Sequence, residues 1–198
     1  MDSTLKTNFS LSEEQLNELT PWLISVWQTG SGSLPWITNA HDVDIVFYVK
    51  HNHTSPEVQR FKQLAAQYKP AGTCWIIETV PDRKYLYGYE YHFLKNIWGT
   101  EKPKWDIFEP TMQARTKQFL KTWVGRKLPR SSKLWYHVLT QVYLFKNGDY
   151  FLTDEQAANV RLCHDRKMTE ELYDFVVKEV TAWPSNTRYA LSTTAEDN

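Results

Sequence analysis

The chain of 198 residues has only two cysteines, Cys74 and Cys163, far apart in sequence and matching no metal-ligand spacing. That excludes a disulfide framework and a zinc site of the paired-cysteine kind, and the expectation is a reduced, cytoplasmic protein. No stretch approaches the ~20 consecutive apolar residues that a membrane span needs. The opening Met1-Asp2-Ser3-Thr4 is polar and unlike a targeting signal, so a soluble protein with no membrane partner is expected. Net charge is also absent, with 23 basic against 23 acidic residues, and there is no internal repeat or low-complexity tract. One local absence carries more information. Between Glu109 and Asp149 no acidic residue occurs, while Arg115, Lys117, Lys121, Arg126, Lys127, Arg130, Lys133 and Lys146 all do. Segregated charge of this kind suits phosphates, either a triphosphate or a nucleic-acid backbone, and the plain alternative is a solvated helix face.

Aromatic residues are plentiful, with nine Trp and eleven Tyr, enough to fill a core and leave some rings for stacking. Capping signals at Ser10 to Glu13 and Ser12 to Gln15 open a helix that Pro21 stops, and a strand follows at 22–29. A second strand covers roughly 42–50. Thr54-Ser55-Pro56-Glu57 starts a helix with Val58, Phe61, Leu64 and Tyr68 on one face, ended by Pro70. Residues 74–80 and 84–93 read as strands separated by a Pro81-Asp82 turn, 94–98 as a short helix, and 104–109 as a further strand stopped by Pro110. Helices are expected at about 112–124, 131–146, 153–164 and 169–182, followed by a polar tail from Ser185.

The chemistry concentrates at Gly30-Ser31 and, eleven residues on, at Asp42-Val43-Asp44-Ile45-Val46. Alternation along a strand sets Asp42 and Asp44 on one face while Val43, Ile45 and Phe47 turn to the other. Two carboxylates held that close repel unless a divalent cation sits between them, and hard oxygen ligands suit Mg²⁺ shared with substrate phosphates. The Gly-Ser turn offers a small side chain and backbone N–H groups to a triphosphate.

With a hydrophobic strand, Gly-Ser, about ten residues and then Asp-x-Asp, the stretch 22–48 resembles the polymerase-β-like nucleotidyltransferase superfamily. Tyr89 to Lys95 and Lys133 to Leu139 extend a looser likeness to its bacterial and phage predicted-nucleotidyltransferase branch. The chain departs from the pattern at Gly32, where Arg often follows Gly-Ser, and at Pro35, which replaces a later Gly. The resemblance implies an α/β (α+β) fold with a small mixed-sheet catalytic core over residues 1–110. A mainly helical part over 111–184 and a polar tail over 185–198 would follow.

The activity so implied is Mg²⁺ (or Mn²⁺) dependent transfer of a nucleoside monophosphate from a nucleoside triphosphate to a hydroxyl of an RNA end, a protein or a small molecule. Asp42 and Asp44 would bind the metal, and Gly30 and Ser31 the phosphates. A third carboxylate, Asp106 or Glu90, would complete the acid set and help hold a second metal, with Glu78 a weaker contender. Lys133 and His137 are nucleotide contacts on the same likeness. Arg115, Lys121, Arg126, Lys127 and Arg130 are the nucleic-acid candidates. A non-catalytic nucleotide-binding module of the same fold, and a small-molecule nucleotidyltransferase, are the competing readings. His51-Asn52-His53 reads as a loop, Cys163-His164 lacks a partner pair for zinc, and the alternating Tyr85, Tyr87, Tyr89 and Tyr91 read as a packed strand face.

Overall fold

Leu23–Thr29 (β1) and Val43–Val49 (β2) are runs rich in β-branched and aromatic residues, and they pair antiparallel from Leu23 opposite Val49 to Thr29 opposite Asp44. The computed structural model describes residues 12–38, 43–71, 73–79, 88–99, 106–126 and 128–184. The chain divides into two units, Met1–Lys104 and Trp105–Asn198. In the first, Glu13–Leu19 (α1) is opened by a reciprocal capping box in which Ser12 Oγ accepts from Gln15 N at 3.2 Å and Gln15 Oε1 accepts from Ser12 N at 2.7 Å. Pro56–Tyr68 (α2) starts at Ser55, whose side chain accepts from Val58 N, and carries the chain over to Thr73–Thr79 (β3), parallel to β2. Lys95–Trp98 (β4) closes the other edge antiparallel to β1, giving the strand order β3-β2-β1-β4.

The register gives this sheet two faces. Val26, Ile45, Phe47 and Val49 pack with Val58, Phe61, Leu64 and Ala65 of α2 and with Leu19 and Leu23. Phe47 is central there, with ring centroids 5.6 Å from Phe61 and 4.6 Å from Trp75. Burying a ring of that size contributes about 1.5–3 kcal/mol. The opposite face is built of three rows, Thr29–Asp44–Cys74, Trp27–Val46–Ile76 and Ser25–Tyr48–Glu78, each running across β1, β2 and β3.

The second unit is helical: Pro110–Gly125 (α3), Trp135–Asn147 (α4), Asp154–His164 (α5) and Glu170–Ala182 (α6). Every residue from Trp135 to Leu144 is buried, because α5 and α6 both pack on α4, and α3 packs on α6. Thr153 and Gln156 form a capping box at the start of α5, and Gly148, at φ 71°, ends α4 in the left-handed conformation. A mixed four-stranded sheet followed by a helical C-terminal part makes this an α+β fold.

Three short elements differ from expectation. Gly88–Tyr91 is a 3-10 turn and not strand, since His92 N and Phe93 N bond back to Tyr89 O and Glu90 O and all four turn residues are buried. Residues 95–98 are strand and not helix, because the edge of β1 offers them a ladder. Residues 106–109 form the entry to α3: Glu109 caps it by accepting from Thr111 N and Met112 N, with Pro110 in the first turn. The tail from Ser185, together with Tyr85 and Tyr87, lies outside the described residues.

Candidate metal and phosphate site

At the end of β1 the chain turns through Gly30 at φ 68°, ψ −160°, a conformation essentially confined to glycine. It turns directly against Asp44, and a Cβ added at Gly30 would lie 1.9 Å from Asp44 Oδ2. The Gly-Ser turn and the second acid of the pair, fourteen positions apart in the chain, are therefore in van der Waals contact. Ser31–Ser33 continue as a 3-10 turn in which Ser33 Oγ and Ser33 N both donate to Gly30 O, at 2.9 and 3.1 Å. Buried Leu34, Trp36 and Ile37 hold the loop from below, and Trp36 meets the Phe93 ring edge-on at 4.9 Å. Lys95 Nζ donates to Gly32 O at 2.8 Å, so the position that departs from the family pattern is tied to β4 through its backbone.

Asp44 is half-buried between buried Thr29 and exposed Cys74, and the buried polar residues Ser25 and Glu78 lie two rows away, beyond Trp27, Val46 and Ile76. Thr29, the partner of Asp44 in register, is fully buried, and its hydroxyl makes no hydrogen bond among the described residues. Such a group costs free energy unless something satisfies it. Ser25 is buried and accepts from Trp27 Nε1 at 2.8 Å. Glu78 is fully buried on β3 and accepts from the Tyr91 hydroxyl at 2.6 Å. That bond ties the 88–91 turn, and with it the buried Glu90, to this face. Thr29 was not singled out from the sequence; Tyr91 was read there as part of a packed strand face, and Glu78 as the weaker contender for third acid.

The other expected residues are distributed differently. Asp42 lies outside the described residues, as does Lys127. Asp106 belongs to the second unit, not to a strand beside β2: it is exposed, accepts from Phe108 N at 2.9 Å and from the Tyr150 hydroxyl at 3.0 Å, and serves the entry to α3. Glu78 lies opposite Tyr48, four residues from the Asp44–Cys74 row, which is ~13 Å along a strand. Two carboxylates on one Mg²⁺ must each come within ~2 Å of it, so Glu78 does not share an ion with Asp44. Among the described residues no group of three or more His, Cys, Asp or Glu side chains forms a metal cluster. The Asp44 carboxylate, with the Thr29 hydroxyl beside it in register and the Gly30 turn against it, offers oxygen donors of the kind that fit a hard cation.

In the second unit Lys133 is half-buried just before α4, and His137 is buried one turn on, with its ring centroid 3.9 Å from that of Tyr136. Burial, and then the nearby Lys133 and His164, hold the His137 imidazole well below its ordinary pKa and so neutral. Cys163, also buried, has its thiol pushed up to about 12. Much of the basic run is engaged within its own unit. Arg130 pairs with Glu170 at 3.1 Å and covers the Tyr173 ring, Lys146 pairs with Glu179 at 2.8 Å, and Lys121 donates to Trp183 O. Arg115 and Arg126 are exposed.

Comparison with known proteins finds no family model, no curated protein and no solved structure that matches the chain. No helix among the described residues is long and apolar enough to cross a membrane.

Proposed function

We propose that the chain is a nucleotidyltransferase that moves a nucleoside monophosphate from a nucleoside triphosphate to a hydroxyl acceptor and releases pyrophosphate. The observation that carries the reading is the contact of Gly30 with the Asp44 carboxylate, which brings a phosphate-admitting turn against a metal-binding acid. Mg²⁺ (or Mn²⁺), held by Asp44 and by Asp42 two residues before it, would neutralise phosphate charge and align the reacting oxygens. Gly30, lacking a side chain, lets the turn close against the Asp44 carboxylate, and the backbone N–H groups of the turn with the Ser31 hydroxyl would receive the β- and γ-phosphates. The acceptor oxygen attacks the α-phosphorus, the bond from that phosphorus to the bridging oxygen breaks, and pyrophosphate leaves with the electron pair. Glu90, which the resemblance offers as third acid and which belongs to the same unit as Asp44, would take the acceptor proton. That neither Cys74 nor Cys163 is in a disulfide is in keeping with a cytoplasmic setting.

A second reading is favoured by one specific feature. The residue across from Asp44 on β3 is Cys74 and not a carboxylate, which suits a module that binds a metal-triphosphate without turning it over. Pyrophosphate release separates the two. With Mg²⁺, each of the four nucleoside triphosphates and an RNA, protein or sugar-alcohol acceptor, the wild type should release pyrophosphate. Asp44→Asn should lower the rate on the order of 100-fold or more. Triphosphate binding without pyrophosphate from any combination would select the non-catalytic module.

A further inference from the structure

We infer that the outer face of α3 docks a single-stranded nucleic acid, with bases against Phe119 and Trp123 and phosphates on Arg115 and Arg126. Helix α3 buries Thr116, Leu120 and Val124. On the flank next to this buried stripe the spacing of 3.6 residues per turn lines up Arg115, Phe119, Thr122 and half-buried Trp123, with Arg126 at the C-cap, along ~16 Å. Arg115, Thr122 and Arg126 are exposed, and Phe119 is 42 % exposed, among the largest exposed apolar side chains described. The rings of Phe119 and Trp123 lie 5.5 Å apart, and the Arg126 guanidinium sits 5.3 Å from the Trp123 centroid. An arginine stacked on indole keeps a planar fork of donors at a fixed place, a geometry suited to phosphate.

Charge complementarity selects the occupant. No carboxylate occurs anywhere from 110 to 148, so nothing on the helix repels a phosphate backbone. An apolar protein surface has no need of that bias. Ring faces flanked by guanidinium groups are the chemistry by which single strands are held without sequence readout, whereas paired bases keep their faces stacked on each other. Lys121 and Arg130 have partners within the unit, which narrows the strip to fewer residues than the basic run contains. Strand binding requires neither metal nor triphosphate, so it stands apart from the transfer reaction.

The test is fluorescence anisotropy of labelled oligouridine and oligothymidine between about 50 and 200 mM salt, since each phosphate contact on a single strand adds ~0.7 to the log–log salt slope. The wild type should bind both strands and a duplex of equal length less well. Phe119→Ser, an exposed position, should lose about 10-fold in affinity at every salt concentration with its melting temperature kept. Arg115→Gln with Arg126→Gln should lower the slope by ~1.4. Asp44→Ala should keep strand affinity, so failure of the metal site and failure of the strip are read separately. No strand binding by the wild type at low salt, unchanged affinity in both α3 variants, or a concentration-dependent self-association that Phe119→Ser abolishes would each overturn the proposal.

Discussion

On one face of the four-stranded sheet Val26, Ile45, Phe47 and Val49 interlock with Val58, Phe61 and Leu64 of α2; on the other, an apolar row of Trp27, Val46 and Ile76 separates Thr29 and Asp44 at one end from Ser25, Tyr48 and Glu78 at the other. Burial alone does not separate the two, because Ser25, Thr29 and Glu78 are as inaccessible as Phe47. Satisfaction does. The apolar face needs nothing beyond close packing, whereas a buried hydroxyl or carboxylate costs about 1–3 kcal/mol unless it is hydrogen-bonded. Glu78 is met by Tyr91, while the Thr29 hydroxyl beside Asp44 meets no bond among the described residues. It is the end of the second face around Thr29 and Asp44 that the proposed function uses.

The contrast is open to attack from either side. Phe47→Ala should have the largest effect on stability, about 3–5 kcal/mol from lost burial and the residual cavity. Chemical denaturation of the purified variant measures it. A cost below ~1 kcal/mol would mean that the apolar face is not what holds the unit together. Tyr91→Phe should cost less, about 1–3 kcal/mol, because it strips a donor from a buried carboxylate and leaves the packing almost unchanged. A neutral result would show that the polar face tolerates disorder in its bonding and is less strictly organised than the register implies.

Much of this arrangement was legible from the chain. Gly30 and Asp44 lie at the facing ends of the consecutive strands β1 and β2, which pair antiparallel, so the motif in sequence pointed to their meeting. Likewise Ser12 with Gln15, Ser55 with Val58, and Thr153 with Gln156 each start a helix through bonds confined to four residues. What could not be read was non-local. The four residues of β4 are strand because β1 has an edge to fill, and no propensity of Lys-Asn-Ile-Trp dictates it. Trp-Asp-Ile suggested a strand acid at Asp106, but Glu109-Pro110 just beyond is a helix start, and that local signal prevailed. Thr29, Glu78 and Tyr91 join the polar face only through strand register and a contact thirteen residues long. The basic run reads as free charge in sequence because Glu170 and Glu179, which pair with Arg130 and Lys146, follow 40 and 33 positions later.

The central claim is that the face carrying Asp44 holds a metal-triphosphate. It is tested most directly by the thermal stability of the wild type and of Asp42→Ala/Asp44→Ala with Mg²⁺ alone, with triphosphate alone and with both. At a free ligand concentration ten times its Kd the wild type should gain about 1.4 kcal/mol with both present, and the double variant nothing. Equal gains in the two proteins would contradict the account and place the ligand elsewhere.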